Sequence, residues 1–88
     1  MNRTPFSVIL NPVSGARRGE RFLPEIRGVV EGRGGLLHVT EFAGQATRLA
    51  REDAASGIPL VFAGGGDDTV REVIQGLFGG PGRLGILP

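Results

Sequence analysis

The chain has 88 residues, no cysteine, one histidine and a formal charge of +1, which bounds it to one small domain burying only about 60 to 65% of its unfolded surface. Without cysteine there is no disulfide framework or thiolate metal site, and the single His38 excludes clustered histidine ligation. All ten basic residues are arginine, set against nine acidic ones, so no broad positive field exists to draw in nucleic acid or an anionic membrane, and the lack of lysine excludes a Walker A loop.

In chain order, Met1-Asn2-Arg3-Thr4-Pro5 lacks the apolar core of a signal peptide, and no apolar run approaches the ~20 residues of a membrane span, which predicts a cytoplasmic protein. A strand is expected over 6–10, then a helix over 18–31 whose buried stripe is Phe22, Ile26, Val29 and Val30. A second strand over 36–41 carries His38, and a second helix over 45–56 has a narrower stripe of Ala46, Leu49, Ala50 and Ala54, ending at Gly57. A strand over 58–63, a helix over 69–78 and a strand over 83–87 complete the chain. This β-α-β-α-β-α-β alternation predicts an α/β fold: three α/β/α layers with a small parallel sheet, Rossmann-like or flavodoxin-like, joined by right-handed crossovers. Strand order 2-1-3-4 places the loops after the first and third strands side by side. Gly80-Pro81-Gly82-Arg83-Leu84-Gly85 has the Gly-x-Gly-x-x-Gly spacing of a dinucleotide fingerprint, but it precedes a strand instead of opening a helix and reads as a connection.

The most informative junction is Val61-Phe62-Ala63-Gly64-Gly65-Gly66-Asp67-Asp68-Thr69-Val70-Arg71-Glu72-Val73, where an apolar strand stops at three glycines and a helix begins. Glycines permit close backbone approach and positive φ, and the first amides of the helix favour an anion. Thr69 to Glu72 fits a capping box with Thr69 as N-cap, and Val70, Val73, Ile74 and Leu77 fall on one apolar face. The competing reading of Gly-Gly-Gly is a tight turn required by packing alone. In an open α/β sheet, ligands collect outside the carboxyl ends of strands where the strand order reverses. These residues by themselves therefore specify an anion site, with no ligand named.

Gly65, Gly66, Asp67 and Thr69, followed by the Glu72-Val73 helix, resemble the Gly-Gly-Asp-Gly-Thr signature of the diacylglycerol kinase catalytic-domain family, which includes diacylglycerol, sphingosine and bacterial lipid kinases. Asn11-Pro12-Val13-Ser14-Gly15 after the first strand is similar to that family's Asn-Pro-x-Ser-Gly loop. Thr40 and Gly44-Gln45-Ala46 look like its Thr and Gly-His-Ala segment, with Gln45 replacing the usual His. The resemblance spans nearly the whole chain. It implies ATP bound with Mg²⁺ by Asn11, Pro12, Val13, Ser14, Gly15, Thr40 and the Gly65, Gly66, Asp67, Asp68, Thr69, Val70, Arg71 loop. It further implies that residues 1–88 are the N-terminal nucleotide-binding part of a lipid kinase. In the family, Gly-Thr-x-Asn-Asp and a β-rich domain normally follow a strand ending as Ile86-Leu87-Pro88 does. The resemblance places the catalytic acid/base, the structural metal site and the lipid cleft in those regions or between the two domains, so the 88 residues are expected to be inactive alone. Membrane contact is expected at most peripherally, through the full-length protein. An NAD kinase, which shares Gly-Gly-Asp-Gly, and a degenerate non-catalytic module are the alternatives.

Asp68 departs from the signature by replacing glycine. In the left-handed region an aspartate would cost roughly 1 to 2 kcal/mol, and a carboxylate about 5 Å from a phosphate charge would be opposed by roughly 3 kcal/mol at an effective dielectric near 20. Nucleotide affinity is therefore expected to fall on the order of a hundredfold unless Mg²⁺ or Arg71 neutralises the carboxylate. At Asp67 the resemblance implies a role in ordering the loop and the metal-nucleotide, not in deprotonating substrate, while the residue by itself reads as an Asx-turn residue. Arg17, Arg18 and Arg21 follow the first loop and either reach phosphate or form a solvated helix face.

Overall fold

A computed structural model describes residues 4–12 and 18–87 of the chain. The elements are β1 (Ser7–Leu10), α1 (Arg18–Gly32), β2 (Leu36–Val39), α2 (Gln45–Ala55), β3 (Leu60–Gly64), α3 (Asp67–Leu77) and β4 (Arg83–Ile86). All pairings are parallel and the order is β2-β1-β3-β4, so the expected α/β architecture and strand order are both observed. Expected boundaries shift by one or two residues, most visibly where Thr40 and Glu41 leave β2 for a loop.

Side chains alternate across the sheet with period two and assign the helices to faces. Ile9, Val61 and Ala63 point to one side, where they pack with Ala46, Ala50 and Ala54 of α2 and Val73 and Leu77 of α3. Val8, Leu10 and Leu37 point to the other, against Val30 of α1, with Leu23 and Ile26 partly buried beside them. The chain thus winds one way through α1 and the other way through α2 and α3, so the strand order reverses between β1 and β3.

α2 behaves as its sequence predicts. Its alanine stripe is buried, and its end is a Schellman motif: Gly57 adopts φ 95°, its amide donates to the Ala54 carbonyl at 3.1 Å, and the Ile58 amide donates to Asp53 at 3.0 Å. A tie not foreseen joins α2 to β2. His38, a strand residue as expected, sets Nε2 3.0 Å from both carboxylate oxygens of Asp53, which is only 5% exposed.

α1 departs from expectation. Val30 is buried and Ile26 partly so, but Phe22 is 48% and Val29 60% exposed. α1 lies over β1 and β2, and among the described residues no helix covers the same face over β3. Phe22 and Val29 therefore line an open apolar groove with Phe62 and Leu87.

The Gly-x-Gly-x-x-Gly spacing of 80–85 belongs to the turn before β4 and to β4 itself, as expected of a connection. Gly85 stands opposite Phe62 in the register, and a Cβ there would overlap the Phe62 ring. That ring also meets Phe6 edge to face, with centroids 5.8 Å apart.

Candidate functional site

Three strand ends converge. The Asn11 amide donates to the Gly64 carbonyl at 2.9 Å, prolonging the β1–β3 ladder past Leu10, and the Thr40 amide donates to Leu10 at 2.9 Å, prolonging β1–β2. The Thr40 hydroxyl donates to the same Leu10 carbonyl at 3.4 Å. These bonds bring Asn11, Thr40 and the glycine bend to one end of the sheet, the carboxyl end, at the reversal of strand order.

Of the three glycines, Gly65 makes the bend. It adopts φ 136°, and a Cβ there would stand 2.9 Å from Thr69 Oγ1 and 3.2 Å from Asn11 Cβ. Both the conformation and the close approach require glycine. Gly66 is extended at φ −85° and ψ −176° and is the N-cap of α3, its carbonyl accepting from Thr69 at 3.0 Å and Val70 at 3.3 Å.

Two expectations are corrected here. Thr69 is not the N-cap: α3 starts at Asp67, two residues earlier, with no side-chain cap, and Thr69 is buried inside the first turn. The capping box fails because Glu72 is engaged elsewhere, its Oε1 accepting from the Gly44 amide at 3.1 Å and its carbonyl accepting the Thr47 hydroxyl at 2.8 Å. Nor is Asp68 left-handed; it is helical, so the backbone penalty disappears. Its side chain is 90% exposed and 3.8 Å from Arg71, the neutralising partner foreseen in sequence. Asp67 and Asp68 both occupy the first helical turn, where the macrodipole favours acidic residues.

Beside the bend lies a cleft of about 210 Å³ lined by Asn11, Thr40, Asp68 and Thr69 from the expected set, together with Glu41, Phe42 and Glu72. Pro12 is buried next to Asn11. Asp67 stays exposed at the helix start, Arg71 turns to Asp68, and Val70 packs into the core instead of facing the cleft. Val13, Ser14, Gly15 and Arg17 lie outside the described residues. Arg18 belongs to α1, as does Arg21. Glu41 and Phe42 were not anticipated, and their position one and two residues after Thr40 is the only sequence signal for them. Gln45, which stands where a His is usual, holds this loop by accepting the Glu41 amide on Oε1 at 2.7 Å.

A model of the diacylglycerol kinase catalytic domain matches residues 5–88. The chain belongs to that family. It is 36% identical over 85 residues to a diacylglycerol kinase of Bacillus subtilis, covering 92% of this chain and 28% of that protein. A diacylglycerol kinase of Staphylococcus saprophyticus is similar to the same extent, at 36% identity over 85 residues. A crystal structure of a diacylglycerol kinase from Bacillus anthracis superposes with a TM-score of 0.77 at 27% identity, over 97% of this chain and 32% of that one. The chain thus spans 28% of the length of these curated relatives, and the catalytic-domain match takes in both the Asn11 strand end and the Gly65 bend.

Proposed function

We propose that these residues are the nucleotide-binding part of a lipid kinase, in which ATP gives its γ-phosphoryl to a lipid hydroxyl such as that of diacylglycerol. The observation that carries this reading is the Gly65 bend, packed against Asn11 and Thr69 at the carboxyl end of a doubly wound sheet and feeding the amino end of α3. The Asp67 and Asp68 amides, which have no acceptor within the helix, and the α3 dipole supply a seat for phosphate. The Asn11 to Gly15 loop and Thr40 complete the proposed nucleotide contacts, and Arg71 offsets the Asp68 charge. The family match favours this over an NAD kinase.

Mg²⁺ fits the donor set as a partner of the phosphates. Among the described residues no group of three acidic or imidazole side chains forms a protein cage, and Mg²⁺ is commonly held by one or two carboxylates plus substrate phosphates. Asp67, exposed at the start of α3, is the carboxylate proposed to assist, and the metal would neutralise phosphate charge. The lipid acceptor, any peripheral membrane contact and the group that deprotonates the hydroxyl are assigned to the further length that the relatives possess. No described helix is long and apolar enough to cross a membrane.

Titration calorimetry of the chain with Mg²⁺-ATP tests the reading: saturable binding displaced by Mg²⁺-tripolyphosphate is expected, and no binding overturns it. With radiolabelled ATP and diacylglycerol, the 88 residues alone are expected to transfer no label.

A further inference from the structure

We infer that Phe42 is the platform on which the base of the bound nucleotide stacks, an assignment that rests on the nucleotide reading above. The ring is 61% exposed, and among the described exposed large apolar side chains it is the one that lines the polar cleft beside Thr40 and Asn11. Exposed at a polar cleft, the ring is available to a flat ligand that enters there.

The loop that bears this ring is fastened on every side. The Thr40 amide is bonded to Leu10, the Glu41 amide to Gln45 Oε1, the Gln45 amide to the Phe42 carbonyl at 3.4 Å, and the Gly44 amide to Glu72 Oε1. The backbone is thereby pinned while the side chain stays exposed, which reduces the ordering entropy that binding must overcome.

The cleft carries charge at both of its ends. Glu41 and Glu72 line it with Phe42, and the Glu72 carboxylate is held at the Gly44 amide of the Phe42 loop, where phosphate would be repelled. Asp68 lines it at the start of α3, but there Arg71 lies 3.8 Å from the carboxylate and the bend and helix amides favour an anion. A bound nucleotide is therefore oriented with its phosphates at the glycines and its neutral, flat ring over Phe42, where exocyclic amino donors suit the nearby carboxylates. Every base has a π-face, so stacking alone accepts any of them.

The chain has no tryptophan or tyrosine, so Phe42→Trp introduces a single indole exactly where the base is placed. The test compares Mg²⁺-ATP with Mg²⁺-tripolyphosphate on the wild-type chain, Phe42→Ala and Phe42→Trp. Expected are a loss of about tenfold or more in ATP affinity for Phe42→Ala, unchanged tripolyphosphate affinity, and indole quenching by ATP but not by tripolyphosphate. ATP binding unaffected by Phe42→Ala with no indole response overturns the stacking while leaving the phosphate site intact. An equal loss for both ligands also overturns it, because Phe42 would then act through the shape of the cleft. Failure of the wild-type chain to bind either ligand removes the nucleotide reading and this inference together.

Discussion

At the scale of single residues, Asp68 shows how local conformation changes an energetic argument. Placed in a left-handed turn and a low dielectric, its carboxylate would weaken nucleotide binding on the order of a hundredfold. In the fold it is helical, largely solvated and within 3.8 Å of Arg71. A phosphate charge about 5 Å away in a water-like dielectric is opposed by only about 1 kcal/mol. Asp68→Gly is accordingly expected to raise Mg²⁺-ATP affinity by less than tenfold, measured by calorimetry. Urea denaturation should show a loss of about 1 kcal/mol in stability, because a glycine replaces an acid in the first turn of α3. A gain near a hundredfold would mean that the carboxylate is desolvated when nucleotide binds. Gly65, by contrast, has no substitute: its φ of 136° and its contact with Thr69 and Asn11 both exclude a side chain.

At the scale of elements, the α2–α3 contact holds the site together, and a glycine permits it. A Cβ on Gly76 would overlap the Thr47 carbonyl and stand 2.8 Å from Ala50 Cβ. The same two helices are joined by Thr47 and Gly44 bonding to Glu72, which lines the cleft. Gly76→Ala is expected to destabilise the protein by about 1 to 3 kcal/mol through overpacking, despite alanine's better helix propensity. A thermal melt that rises with this substitution would show that the helices have room to separate. The stripe of α2 was legible because its alanines recur at helical spacing and are buried against the sheet. The start of α3 was less so: Thr69 and Glu72 have capping-box spacing, yet Glu72 turns to Gly44, 28 residues away in sequence. A local motif competes with long-range partners, and here the partner prevailed.

At the scale of the whole molecule, the reversal of strand order at β1 explains both the site and the bare face. It splays the loops after β1 and β3 to form the cleft, and it sends α1 alone to one side of the sheet. Periodicity marks Val29 and Val30 alike as stripe residues, yet the first is 60% and the second 6% exposed. Val30→Ala is expected to cost about 2 kcal/mol, as for a core truncation, whereas Val29→Ala should stay within about 0.5 kcal/mol, as for a surface change. Equal costs in urea denaturation would mean that the groove above β3 is closed in solution.

The order of strands and helices, the parallel sheet and the glycine bend beside an acidic helix start were determined by sequence alone, because each depends on short-range periodicity or on the special freedom of glycine. Convergence was decided by the tertiary structure. His38 finds Asp53 across 15 residues, Glu72 bridges two helices, and Phe42 comes to the edge of a cleft whose other walls follow β1 and β3. No local pattern encodes those meetings: they follow from how the chain crosses over the sheet, which brings distant residues to one end of it.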